Sequence, residues 1–460
     1  MSAPLVIFAF TGLLSVGIAF LRGRIRLAAV LSASGSALAG LFALLARLEQ
    51  PMTLLGMSIK IGNSWSLLGR AFVLDETNRV AVAFLFVMAA AGFAGGGVAR
   101  PGRYFFSVGL VCVAMVSACL MIRPFLYAAI LVELTAMGSV WLLATRDPDS
   151  RTAVQRLLAL ITVGMMALLV AGWLVEAAGV AAGAPETALQ ASLVLALGLA
   201  VLLGVPPFHH WIPKAASGSH PYGFTLIALL LQSAGLFLLL RFLDSYEWLR
   251  ESEVLFGGIR LAGIATVIVA AAWGVTQRSF SQVVAYVLVA DLGATLLAVS
   301  LRNPLGYQLA LIMIGTRALG LGLWGLGRSG FVSVPGGGPR GARSQGGPLW
   351  DVAQFVGLGS LIGLPLTAGF PARWALMRGL AVEDLSGAIV LAVGMGTLLV
   401  AVARWIGEYF REEPAEAPHR SLVGRSVVAG AVGLCLVVGL FPRVLELLVG
   451  LGGGLRNLIP

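Results

Sequence analysis

Charge is what this sequence of 460 residues has least of: only 11% of them are Asp, Glu, Lys or Arg. A soluble globular protein carries about 25%, so a water-soluble enzyme is excluded. No acidic or basic tail is present, and no polar stretch is long enough to form a disordered domain. The three cysteines, Cys112, Cys119 and Cys435, each fall inside an apolar run. That placement gives neither a disulfide framework nor the spacing of a zinc site. Nucleotide, flavin or iron–sulfur chemistry has no soluble domain to reside in, so no cofactor is expected in this chain.

Apolar residues make up 58% of the chain, with a mean hydropathy of +0.94. They come in blocks near the length of about 20 residues that spans a bilayer as helix. Fourteen blocks are read, approximately 4–21, 27–46, 80–98, 104–122, 124–144, 154–178, 188–207, 222–241, 258–276, 283–301, 305–326, 352–370, 386–406 and 425–448. The expected fold class is therefore an all-α polytopic membrane protein. The first block lacks a basic n-region and a small-residue cleavage site, so it reads as a retained helix. The net charge is +10, and the basic residues sit mostly in short connections between blocks. No exposed aromatics interleave with them, so nucleic acid is not an expected partner. Lys and Arg are in excess in the odd-numbered loops, which places those loops in the cytoplasm and both termini on the outer side. No organelle-targeting segment is visible, and the expected location is the cytoplasmic (inner) membrane of a prokaryote.

Residues 47–79 form a long connection of mixed charge with an amphipathic stretch at Trp65–Val73, expected along the outer surface. Residues 327–349, rich in Gly, Pro, Arg and Ser, read as a flexible loop, and Gly407–Arg425 as a solvated linker. Two helices are interrupted. The seventh block ends GVPPFHHWIP, with Pro206 and Pro207 beside Gly204, and the twelfth runs LIGLPLTAGF, with Pro365 between Gly363 and Gly369. Proline removes a backbone donor and clashes with the preceding turn, which frees carbonyls at membrane depth. Such backbone is tolerated only inside protein or beside a water-filled cavity. Two breaks five blocks apart point to paired repeats around an ion pathway.

Four segments then carry a resemblance. PPFHHWIPKA at 206–215, QVVAYVLVADLG at 282–293, GLPLTAGFPARW at 363–374 and LVEL at 131–134 occur in order and at matching spacing. Together they resemble the antiporter-like membrane subunits of respiratory complex I, of membrane-bound hydrogenases and of multisubunit cation/proton antiporters. The resemblance covers most of the chain, from about residue 70 to 445. It implies a subunit of about fourteen helices containing two inverted five-helix repeats, with helices 7 and 12 broken. Residues 1–103 would hold helices 1–3 and an outer loop, 104–241 the first repeat, 258–406 the second, and 425–460 helix 14. Each repeat would offer a half-channel joined to a chain of charged residues along the midplane.

That chain is where the sequence departs. The seventh-helix lysine position of the family is Leu202, the eighth-helix position is Ser233 beside Gln232, and the basic position before the A-Y pair is Ser281. The histidine position of the same segment is Asp291, the eleventh helix retains only Arg317, and Arg373 stands at the exit position of the twelfth. Leucine cannot cycle between neutral and charged forms, and arginine does not release its proton. The proton-pathway candidates are therefore Glu133, Asp291, Arg317, Arg373 and His209. Each charge buried in the bilayer needs a partner or water, because isolation there costs at least about 2.5–3.5 kcal/mol. For Glu133 two readings stand: a modulator of a relay, or a carboxyl bonded to a neighbour or facing an adjacent subunit. Asp291 and Arg317, on neighbouring helices, read as an ion pair or as relay members. His209 and His210 follow the helix break, where they either cap the membrane surface or take up protons. His220 and His419 read as solvated.

The implied function is a proton-translocating or scaffold subunit in the membrane arm of a redox-driven assembly. That assembly would resemble an NADH-quinone oxidoreductase or hydrogenase, with the first half-channel's lysines lost. The subunit itself would be non-catalytic. Its partners would be other membrane subunits and the bilayer, with soluble redox or zinc-bearing subunits engaged indirectly. Two alternatives stay open: the membrane subunit of an energy-coupled inorganic-carbon uptake complex, and a free-standing cation/proton antiporter.

Overall fold

The computed structural model describes residues 2–459 except 22, 50, 55–56, 77, 181–184, 334–341, 345–346, 410–421 and 451–454. Every one of the fourteen apolar blocks is helical. The helices are α1 (Ala3–Phe20), α2 (Ile25–Leu45), α3 (Arg79–Ala99), α4 (Phe105–Met121), α5 (Ala128–Leu143) and α6 (Pro148–Val180). They continue with α7 (Pro185–Leu203), α8 (Trp211–Gly218), α9 (Pro221–Ser245), the short α10 (Glu247–Glu251), α11 (Glu253–Gly274), α12 (Phe280–Ser300) and α13 (Pro304–Arg328). The chain then forms α14 (Pro348–Ile362), α15 (Phe370–Glu383), α16 (Leu385–Tyr409), α17 (Leu422–Leu440) and the one-turn α18 (Glu446–Val449). Among the described residues, eleven helices are long and apolar enough to cross a membrane, and α4 and α5 are shorter apolar helices.

Two helices form the centre. α9 and α12 are buried along 94% of their spans, whereas α1 and α17 are buried along 33% and 28%. A helix that is apolar all round is covered by lipid or by protein, and these two are covered by protein. α9 finds it against α4, α5, α7, α8 and α13, and α12 against α8, α11, α13, α14 and α16. α8 and α13 touch both central helices and so join the two halves. Small residues allow the close crossings. A Cβ at Gly293 of α12 would lie 2.9 Å from the carbonyl oxygen of Gly263 on α11, so only glycine permits that approach.

The two interruptions share one construction. α7 stops at Leu203 with Gly204 at φ +75°, and α14 stops at Ile362 with Gly363 at φ +86°. In each, the next residue's amide reaches back five positions: Val205 N–H to Ala200 O at 2.9 Å, and Leu364 N–H to Gly359 O at 2.8 Å. This is a left-handed glycine cap that closes the last turn. The helices therefore end at glycine, and Pro206, Pro207 and Pro365 follow the cap instead of kinking a continuous span. The blocks at 188–207 and 352–370 are accordingly each followed or completed by a second short helix, α8 and α15.

The connection at 47–79 forms its amphipathic stretch as strands. Strands β1 (Pro51–Leu54) and β2 (Met57–Lys60) form one hairpin, and β3 (Ser64–Leu67) and β4 (Arg70–Val73) form another. β4 also pairs with β5 (Ile122–Arg123). Leu68 and Gly69, both at positive φ, make the two-residue turn that such hairpins require. Trp65 and Phe72, cross-strand partners, pack at 5.7 Å between ring centroids, and both contact Phe8 of α1. The paired aromatics Trp65 and Phe72, packed on Phe8, are the apolar side of that stretch. Of the Gly/Pro/Arg-rich segment, β6 (Phe331–Ser333) pairs with β7 (Ala342–Ser344). The rest of that segment at 334–341 and 345–346, and most of the linker including His419, lie outside the described residues.

Candidate functional site: a carboxylate between two arginines

α12, α13 and α15 bring Asp291, Arg317 and Arg373 together. The three are 3%, 1% and 6% exposed, so the cluster is fully withdrawn from the surface of the chain. Arg317 donates through Nε to Asp291 Oδ2, and Arg373 donates through Nη2 to Asp291 Oδ1. Both carboxylate oxygens are thus engaged by guanidinium groups from two other helices. Arg317 Nη2 also donates to Thr295 Oγ1 at 2.6 Å. Thr295 lies one turn beyond Asp291 on the same face of α12 and donates to the Asp291 carbonyl at 2.8 Å.

Arg373 links the cluster to the helix break. Its Nη2 donates to the Leu361 carbonyl at 2.9 Å, one of the carbonyls that a helix end leaves without an intrahelical donor. The stem of Arg373 packs on the cap itself: a Cβ at Gly363 would sit 2.6 Å from its Cγ. The Gly-Leu-Pro break therefore makes room for Arg373 and supplies it with an acceptor. Two cations face one carboxylate, and the Nη1 atoms of both arginines have no hydrogen-bond partner among the described residues. Arginine remains protonated under any accessible condition, so the cluster holds a fixed excess of positive charge.

The other candidates lie apart. Glu133, on α5, is buried, and its Oε1 accepts from Thr162 Oγ1 of α6 at 2.8 Å, while Oε2 has no partner among the described residues. His209 sits in a single 3-10 turn (Phe208–His210) between α7 and α8, buried, with neither ring nitrogen bonded among the described residues. Its ring lies 4.4 Å from that of exposed His210 at a tilt of 37° and meets Tyr286 of α12 edge-on at 5.9 Å. Tyr286 precedes Asp291 by five residues, about 7.5 Å along the helix axis. His220 is partly buried; its Nδ1 accepts from the Tyr222 amide at 3.2 Å and caps α9. Burial lowers its pKa.

Leu202, Ser233 and Ser281 are all buried. Leu202 packs on α9, its Cγ 3.4 Å from where a Cβ at Gly235 would stand. Gln232, next to Ser233, is 1% exposed, with neither end of its amide bonded among the described residues. The sequence holds two lysines, Lys60 and Lys214. Both are paired near the ends of the bundle, Lys60 with Glu49 at 2.8 Å and Lys214 with Asp149 at 3.2 Å. Sequence reasoning missed Thr162, Thr295 and the Leu361 carbonyl. Thr295 was findable from its i+4 spacing to Asp291; the other two depend on which helices pack together.

Comparison with known proteins follows the same lines. The family model described as NADH:quinone oxidoreductase/Mrp antiporter, TM matches residues 126–323, a segment that includes Glu133, Asp291 and Arg317. NADH-quinone oxidoreductase subunit N of Parafrankia sp. is 26% identical over 293 residues, 57% of this chain and 52% of its own length. The chain spans about half the length of the curated relatives it matches. Two solved structures share the fold over nearly the whole chain. One belongs to the Mrp complex of Dietzia sp., with a TM-score of 0.78 at 17% identity, covering 100% of this chain and 98% of that one. The other belongs to an archaeal membrane-bound sulfane sulfur reductase, with a TM-score of 0.80 at 15% identity, covering 99% of each. The matched segment makes the middle of this chain similar to the NADH:quinone oxidoreductase/Mrp antiporter family, and the whole chain shares the fold of the two solved structures.

Proposed function

We propose that the chain is an antiporter-like subunit in the membrane arm of a multisubunit, redox-driven assembly. Residues 104–241 and 258–406 act as its two inverted repeats, and the identical glycine caps at Gly204 and Gly363 support that division. The observation that carries the functional reading is the Asp291–Arg317–Arg373 cluster, the site where a carboxylate is held by cations from two other helices deep in the bundle.

In this reading the second half keeps a charged element of a proton pathway and the first half does not conduct. A relay member must gain and lose a proton, and neither arginine does so. The cluster therefore acts as a fixed field that sets the energy of protons on neighbouring groups and water. His209 is a protonatable group that meets the same helix as Asp291, at Tyr286 five residues earlier. In the first half, Leu202 and Ser233 stand where the family carries lysines, and Glu133 is left with a threonine as its partner. Redox chemistry and any metal belong to other subunits. The protein resides in a prokaryotic inner membrane with both termini on the outer side, which reporter fusions at each end test directly.

The functional test uses the whole assembly in proteoliposomes. Arg373→Ala and Asp291→Asn are each expected to lower protons moved per electron while electron transfer continues. Unchanged coupling in both variants excludes a conducting second half.

A further inference from the structure

The two breaks are capped alike but braced differently. A Cβ at Gly204 would meet Ile212, Trp211 and His209, all from the turn and helix that directly follow it. The second break is met from a distant part of the chain, by α17. The buried face of that helix runs through Val428, Val432, Cys435 and Val438, and Gly439 stands beside its last member. A Cβ at Gly439 would press on the Leu366 carbonyl oxygen and lie 2.5 Å from the Thr367 carbonyl carbon. Both are backbone atoms, so no side-chain rotation relieves the contact, and only glycine lets α17 rest directly on the turn. One helical turn earlier Cys435 is fully buried, its sulfur facing the Ala368 backbone and the Ser360 hydroxyl.

The turn needs a brace. Leu366 sits at φ +70°, a left-handed conformation that leucine keeps only where its surroundings impose it. Its side chain is 60% exposed, so side-chain packing does not impose it. A bond of 3.2 Å from Thr367 N–H to Leu364 O closes the turn on one side, and Gly439 fixes the Leu366 carbonyl on the other. The constraint then reaches Arg373. Gly369 N–H donates to Ser360 Oγ at 3.1 Å, and Arg373 N–H donates to Gly369 O at 3.2 Å in the first turn of α15. Arg373 Nη2 returns to the Leu361 carbonyl. The turn, the start of α15 and the guanidinium thus all close on the last turn of α14.

We propose that α17 is a clamp on the second break, with Gly439 a positioning residue that acts through the 364–369 turn to hold Arg373 against Asp291. The functional part of this rests on the reading of that cluster as the charged element of the second half.

The test measures amide hydrogen exchange of the purified assembly by mass spectrometry, comparing residues 363–369 with the equivalent segment 204–210 of the first break. A methyl forced against backbone is expected to raise local opening about tenfold. Gly439→Ala should therefore speed exchange at 363–369 by that factor and leave 204–210 unchanged. Gly433→Ala lies on the same helix, where an added Cβ meets nothing within 4 Å. It alters helix propensity equally and should leave both segments at wild-type rates. Cys435→Ala, which removes the contact with Ser360 and Ala368 without adding bulk, should reproduce the Gly439→Ala pattern and decides the matter if Gly439→Ala does not fold. Unchanged exchange at 363–369, or an equal rise in both segments, overturns the clamp. In proteoliposomes, Gly439→Ala should lower protons moved per electron and add nothing in the Arg373→Ala background. A further loss in that background overturns action through Arg373. Full coupling in Arg373→Ala alone would instead defeat the reading of the cluster, and the exchange result would still decide the clamp.

Discussion

Replacing Asp291 by Asn removes the one carboxylate that pairs with two buried guanidinium groups. Asp291 is 3% exposed and both its oxygens are engaged, so no surface rearrangement restores the partner. Breaking a buried ion pair by deleting one side costs about 3–5 kcal/mol, because the remaining charge stays desolvated. Here two charges remain, already in excess in the wild-type protein, so Asp291→Asn is placed at or above the upper end of that range. Replacing an entire buried ionic group by apolar residues of similar volume is, by contrast, often neutral. The triple variant Asp291→Leu, Arg317→Met, Arg373→Met is therefore expected to recover most of the loss. Equilibrium unfolding of the detergent-solubilised protein, followed by circular dichroism, measures both. A cost below about 1 kcal/mol for Asp291→Asn, or a triple variant no more stable than the single one, refutes the fixed-charge account.

Other expected outcomes follow from local geometry. Gly363→Ala meets a left-handed backbone, worth about 1–2 kcal/mol, and also the Arg373 stem at 2.6 Å. At Gly204 the nearest side-chain atom is 3.2 Å away, so Gly204→Ala is expected to cost less, and the same unfolding assay ranks the two. Thr162→Val takes away the hydroxyl that bonds Glu133 and is expected to cost about 1.5–3 kcal/mol if the carboxyl is charged, with Thr162→Ser close to wild type. His220 has a lowered pKa because burial disfavours its charged form. The unfolded chain therefore binds the proton more readily, and this contribution to stability is present above the ordinary histidine value of about 6.5 and lost as pH falls below it. His220→Asn, which keeps an acceptor for the Tyr222 amide, is expected to flatten the pH dependence of the thermal midpoint between pH 7.5 and 5.

The membrane helices were legible because in a bilayer each span must satisfy its own backbone and present apolar side chains for a set length. Hydropathy alone therefore located all fourteen blocks. Where the solvent argument stops, so did the reading. The β3–β4 hairpin lies in the connection at 47–79, where Trp65 sits between Ser64 and Ser66 but Phe72 between Ala71 and Val73, too short and uneven a run to declare its period. At the breaks, the prolines drew attention, yet the glycines two positions before Pro206 and Pro365 terminate the helices. Asp291 and Arg317 read from the sequence as an ion pair or as relay members on neighbouring helices, and Arg373 as a separate buried charge. That all three converge depends on α15 folding back beside α12 and α13, which no local pattern encodes. Glu133 and Thr162 show the same limit, since a threonine among apolar neighbours carries no sign of what it faces.

The central claim is that this chain works as a membrane subunit of a larger redox-driven assembly. Mild-detergent purification of the tagged protein, with mass spectrometry and metal analysis of whatever accompanies it, tests that claim most directly. The account predicts further membrane subunits together with iron-containing soluble subunits of quinone-reductase or hydrogenase type. A single soluble zinc-bearing partner, or a stable and active lone polypeptide, would contradict it.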